Sequence, residues 1–197
     1  MMLKHVFRYI LGTVNYCLTF RKSTNGLRLI AFSDSDWAGS RSDRKSTSGY
    51  IFTLNHDGPG ISWKSKKQDS VALSSCEAEY MAACAAAQEA IFLNRVFRDF
   101  CQQTVPSRNV RTPVIRLADN VVVNVDNQGA IGLAKNPISH NKSKHIDIKY
   151  HFVRECVHNN TITLEYVPSE FNVADLMTKP TSKVKLSQFK KSMFGVC

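Results

Sequence analysis

Apolar residues recur at helical spacing at the start of the chain: Leu3, Val6, Phe7 and Ile10, with Lys4 and Arg8 between them. This predicts a helix over 2–11 that stops near Gly12. The pattern then changes. Leu29, Ile30, Ala31 and Phe32 form a short continuous apolar run, predicting a strand over 27–33 that is buried on both faces. Residues 48–54 alternate and are rich in strand formers (Tyr50, Ile51, Phe52, Thr53). The turn composition of 55–60 follows, and 61–66 reads as the returning strand of a hairpin. The longest helical pattern covers 74–100. Ser74 or Ser75 can cap it, Glu77 sits in its first turn, and 82–87 is rich in alanine. Residues 102–113 read as a loop. A short β run over 121–125 ends at Asp126, and Asn127 to Ile131 opens another helix. A helix over 145–158 has Ile146, Ile148, Phe152 and Val153 on its apolar side. A strand over 161–167 follows. A last helix begins around Asp175, and Pro180 ends or bends it. The order implies a mixed sheet with helices on both sides.

The chain has 197 residues and 43% hydrophobic composition, enough for one domain with a real core and too apolar for a disordered chain. Lys and Arg number 26 against 16 Asp and Glu, a net charge of +10. Such an excess favours a nucleic acid or an anionic membrane surface as partner, and composition does not choose between them. No apolar run approaches the ~18 residues of a membrane span. The six cysteines form no CxxC pair and have no zinc-site spacing. They read as reduced thiols of a cytosolic or nuclear protein, not a secreted one. The N-terminal helix reads as a short packing helix rather than a targeting segment.

Four acidic residues stand in settings suited to a metal-dependent nuclease, in the order Asp, Glu, Asp, Asp. They are Asp34 in AFSDSDWAG, Glu79 in LSSCEAEYMA, Asp126 in VNVDNQGAI and Asp175 in FNVADLMTKP. Hard divalent cations need several carboxylate oxygens at one point, and two such ions can cleave a phosphodiester by in-line attack of water. Glu79 falls about one turn inside its helix, where it projects toward the sheet if that face packs on the Asp34 strand. Glu77 lies about 200° away around the same helix, so both cannot face one metal.

The blocks FSDSDWAGSRSDRKSTSGYIF, ISWKSKKQDSVALSSCEAEYMAA, DNQGAI, KHIDIKYHFVRE and ADLMTKP resemble the ribonuclease H domain of copia-type (Pseudoviridae) retrotransposon Pol polyproteins. The resemblance covers nearly the whole chain. HVFRYILGT resembles the segment that joins the reverse transcriptase to this domain. It implies a ribonuclease H-like α/β fold, a five-stranded mixed sheet flanked by helices. It divides the chain into a connection segment (1–24), the nuclease domain (25–181) and a basic C-terminal tail (182–197). Motif position selects Asp34 over Asp36, and the AEY context selects Glu79. NQGAI selects Asp126 over Asp119, although PVIRLADN imitates the strand before it, an apparent insertion of about seven residues by the offset of the two copies. The implied site is therefore Asp34, Glu79, Asp126 and Asp175, with two Mg²⁺ or Mn²⁺ ions.

The implied activity is cleavage of the RNA strand of an RNA–DNA hybrid during reverse transcription. The implied partner is the cognate reverse transcriptase, in a cytoplasmic virus-like particle or the nucleus, with no membrane. Arg44, Lys45, Ser48, Lys64, Lys66, Lys67, Gln128 and Lys144 are candidates for nucleic-acid contacts, as are Arg41 and Lys142. Trp37 and Trp63 read as core or platform packing, and His140, His145, His151 and His158 as structural. The stretch before Asp175 lacks the histidine that cellular ribonucleases H often carry there. Two other readings compete: a weakly active or co-opted nucleic-acid-binding fragment, and an integrase-type core using Asp119 and Glu155. The Asp–Glu–Asp–Asp order speaks against the second.

Overall fold

The computed structural model describes residues 2–21, 26–56, 58–103, 118–135 and 144–195. Helix α1 spans Met2–Thr13, followed by strands β1 (Leu29–Asp36), β2 (Thr47–Leu54) and β3 (Gly60–Lys67). Helix α2 is Ser75–Gln103, β4 is Val121–Val125, α3 is Gln128–Lys135 and α4 is Lys144–His158. Strand β5 (Ile162–Tyr166), a short 3₁₀ turn (Ser169–Phe171), α5 (Asp175–Thr178) and α6 (Lys183–Phe194) complete the elements of the described residues. The loop expected over 102–113 lies outside the described residues from 104 onward, as do His140 and Lys142; the side chains of Lys144 and His145 are also undescribed.

The five strands form one mixed sheet in the order β3-β2-β1-β4-β5. β1 pairs antiparallel with β2 and parallel with β4, so it is central, as its unbroken apolar run predicts. Because β1 and β4 run the same way, their C-terminal ends open at the same edge of the sheet.

Alternation along β1 separates two cores. Leu29 and Ala31 join the larger one, with Tyr50, Phe52, Tyr80, Val123 and Val153. Phe32 packs with the smaller one on the opposite face, Ile51, Val173, Ala174 and Phe189. The alanines of α2 contribute more than helix propensity. Ala78, Ala82, Ala83, Ala86, Ala87 and Ala90 are all within 1% of fully buried, and their small side chains let the helix lie close on the sheet. A variant of the capping box starts α2: the Ser74 hydroxyl accepts from the Glu77 N–H at 3.1 Å, and Glu77 accepts from the Leu73 N–H at 3.0 Å.

Three expectations change here. α1 is exposed along its length, with Leu3, Phe7, Ile10 and Leu11 each at least half exposed, so it is no packing helix of this sheet. Its periodicity gives a helix but cannot say what covers it. Residues 183–194, expected as part of a basic tail, form α6, and Phe189 pins that helix into the smaller core. Trp37 and Trp63 are also not core residues; they are 49% and 60% exposed.

Candidate active site

Asp34 is two residues from the end of β1 and 4% exposed. Its neighbour across the ladder is Gly49. A Cβ there would come within 2.6 Å of the Met177 Cβ and 2.8 Å of the Thr178 Cγ2. Glycine is thus what lets α5 settle on the sheet beside Asp34. From α5 the Thr178 hydroxyl donates to Asp34 Oδ2. Asn172, fully buried, fixes the approach to α5: its Nδ2 donates to the Ser33 carbonyl at 2.9 Å and its Oδ1 accepts from the Ala174 N–H at 3.2 Å.

Glu79 arrives from the other face on α2. The β1–β4 ladder ends at Ser33 and Val125. Just beyond it, the Ser35 N–H and hydroxyl both donate to Glu79 Oε1 at 3.0 Å. Glu79 Oε2 is buried with no hydrogen-bond partner. Asp126 follows β4 directly. Its neighbour Asn127 starts α3 by accepting from the Ala130 N–H at 2.9 Å.

Asp34, Glu79 and Asp126 converge: each offers a carboxylate oxygen, and the three oxygens lie within 4.8 Å of one another. The electrostatics follow. Burial, then the charges of Asp34 and Asp126, push the Glu79 carboxyl up to about 8, against the pull of Ser35. Burial also raises Asp34, opposed by the Thr178 hydrogen bond and the Lys179 charge. A partnerless buried oxygen among three crowded hard donors fits a divalent cation such as Mg²⁺ or Mn²⁺.

Asp175 is 5% exposed at the start of α5, but it stands outside that trio. It pairs instead with Lys179 and with Lys185 of α6. The decoys separate cleanly. Asp119 is at the opposite end of β4, paired with Arg98 at 2.9 Å and 94% exposed at its side chain. Glu77 is the α2 cap. Asp36 folds over Gly39, where a Cβ would meet its carboxylate.

Of the candidate nucleic-acid residues, Ser48, Lys64, Lys66 and Lys67 line one groove with Gln68 and Lys149. Lys67 is paired with Asp43 at 2.8 Å and Lys66 with Asp69 at 3.2 Å. Arg44 is exposed and Lys45 half-buried, both in the β1–β2 connection, and Gln128 is exposed at the first residue of α3. The sequence reading missed Asn172, Thr178, Lys179 and Lys185. The signal available was the polar and basic character of 172–185, but no spacing in it shows which side chains turn inward.

No protein-family model matches the chain. Among solved structures, the N-terminal RNase H domain of a Mycobacterium tuberculosis protein superposes with TM-score 0.53 at 14% identity, over 82% of this chain and 98% of that one. The foamy viral protease-reverse transcriptase, solved with an RNA/DNA hybrid, gives 0.51 at 12% identity, over 81% of this chain and 20% of that one. The fold is that of ribonuclease H.

The sequence is also 38% identical over 194 residues to the retrovirus-related Pol polyprotein from transposon RE1 of Arabidopsis thaliana. The match takes in 98% of this chain and 12% of that polyprotein. The chain belongs with the Pol polyproteins of copia-type transposons, as a domain of ribonuclease H fold that spans a small part of their length. Among the described residues no helix is long and apolar enough to cross a membrane.

Proposed function

We propose that the chain is a divalent-cation-dependent endoribonuclease that cuts the RNA strand of RNA–DNA hybrids, acting within a Pol polyprotein during reverse transcription. The observation that carries this reading is the convergence of Asp34, Glu79 and Asp126, with oxygens within 4.8 Å of one another and the Glu79 carboxyl pushed up to about 8. Three buried or half-buried carboxylates held together oppose ionisation, and a cation relieves that opposition.

Asp34, Glu79 and Asp126 would hold Mg²⁺ or Mn²⁺, with Asp175 completing a two-ion site. Bound there, such cations supply charge stabilisation at a phosphoryl group and a lowered pKa for an attacking water. The protein's own part is positional. Ser35 fixes one Glu79 oxygen, and the other is buried without a hydrogen-bond partner. Thr178 fixes Asp34 from the opposite face. Glu79, whose carboxyl is pushed up to about 8, would lose its proton in order to hold a cation. Phosphates of the hybrid would follow the groove of Lys64, Lys66 and Lys67, with Ser48, Arg44, Lys45, Gln128 and Lys144 as further contacts. Recognition then rests on backbone shape and the 2′-hydroxyl. On this reading the setting is a virus-like particle or the nucleus.

The test is cleavage of a strand-labelled RNA–DNA hybrid by the purified chain in Mg²⁺, Mn²⁺ or EDTA. The expected result is cutting of the RNA strand alone, with either metal and not with EDTA. Hybrid binding without cutting would reduce the chain to a nucleic-acid-binding fragment.

A further inference from the structure

Asp175 differs chemically from the carboxylates around it. Both its oxygens are engaged by ammonium groups: Oδ1 by Lys179 and Oδ2 by Lys185. A cation reaching either oxygen would stand beside an ammonium group while both lysines stay in place. Lys179 is a local partner, four residues along. Lys185 reaches in from α6, a helix held by other contacts. Phe189 is buried in the smaller core, Gln188 donates to the Glu170 carbonyl at 3.1 Å, and the Phe194 carbonyl accepts from the Thr19 N–H at 2.8 Å. The Lys185 ammonium also lies 5.9 Å from the centre of the Phe189 ring. That is cation–π range, so the ring flanks the ammonium where it stands beside Asp175.

We propose that Lys185 is a displaceable counter-ion, holding Asp175 in the free protein and leaving it when a second divalent ion enters the site. The inference rests on the cation-dependent reading above and deepens it. Ammonium groups sit on both oxygens of Asp175 and, among the described residues, on none of Asp34, Glu79 and Asp126, so the first cation goes to that trio. The second must compete with a built-in cation. Loading is thus ordered, and the second step is tied to the seat of α6.

The test is Mn²⁺ binding to the full chain, read from the electron paramagnetic resonance signal of free Mn²⁺. Wild type is compared with Lys185→Gln, Lys185→Met and Lys183→Gln. Lys183 is an exposed lysine of the same helix, so its variant carries the same charge change away from Asp175. Wild type should bind one ion more tightly than a second. Both Lys185 variants should tighten the second step by roughly tenfold, the scale of one neighbouring opposite charge on a carboxylate; Lys183→Gln should not. Lys185→Met keeps an apolar side chain of similar length there in case the glutamine unseats α6. An unchanged second step in both Lys185 variants, or equal tightening by Lys183→Gln, overturns the proposal and leaves the cation-dependent reading standing. No Mn²⁺ binding by wild type overturns both.

Discussion

The acidic site has two halves that handle charge in opposite ways. Asp34, Glu79 and Asp126 have no lysine or arginine within ion-pairing distance among the described residues, and the Glu79 carboxyl is pushed up to about 8. Asp175, as deeply buried, has an ammonium group on each oxygen. Burial alone therefore does not leave a carboxylate open to a cation in this molecule. What separates the halves is whether an ammonium group sits directly on the carboxylate. On the proposed reading, the half that lacks it takes the first cation and Asp175 meets only the second.

The largest break in this comparison should come from Asp34→Asn. Hybrid cleavage in Mg²⁺ should fall by more than about 10³-fold, beyond the ~10–100-fold typical of losing an outer partner of a metal ligand. Gly49→Ala acts on both halves at once, since the new Cβ would strike α5, which carries Thr178 and Asp175. Thermal and urea unfolding should show a loss of about 1–3 kcal/mol. Cleavage should drop by roughly 10–100-fold as the site loses its geometry.

The halves should separate most clearly in metal-free stability. Folded Glu79 keeps a proton that the unfolded chain loses once the pH passes its ordinary value of 4.5. Its contribution to stability therefore falls as pH rises from there to about 8. In EDTA, Glu79→Gln should be more stable than wild type by roughly 1–3 kcal/mol at pH 8 and nearly equal to it below the ordinary glutamate range. Asp175→Asn should instead destabilise by about 1–2 kcal/mol, because it leaves two ammonium groups facing each other without a carboxylate. Melting curves at the two pH values decide this. The same sign in both variants would erase the distinction.

Two smaller effects sharpen it. Thr178→Val removes the hydroxyl that donates to Asp34 and should slow cleavage about fivefold, one hydrogen bond's worth of positioning. Asp119→Asn should leave cleavage unchanged and cost at most about 1 kcal/mol, as its pair with Arg98 is exposed. A large loss of activity there would mean that the third carboxylate had been misassigned.

Much of this was legible in the residues. The apolar run before Asp34 marks a central strand, and β1 has neighbours on both sides. The run over 121–125 ends where β4 does. NQGAI and the AEY context select Asp126 and Glu79, and both lie in the converging trio. Two things were not legible. The identity of the groups facing Asp175 depends on α6 folding back, a long-range contact anchored by Phe189 that no local period encodes. The exposure of Trp63 on the edge strand β3, and of the apolar residues of α1, is set by what covers them. Hydrophobicity reports that a residue can be buried, and the topology decides whether it is.

The central claim, that Asp34, Glu79 and Asp126 form a cation site, is open to one direct measurement. Crystals of the chain grown with Mn²⁺ would be measured near the manganese absorption edge. An anomalous peak bound by oxygens of all three carboxylates is the predicted result. Well-ordered density for the three side chains at saturating Mn²⁺, with no peak among them, would contradict it.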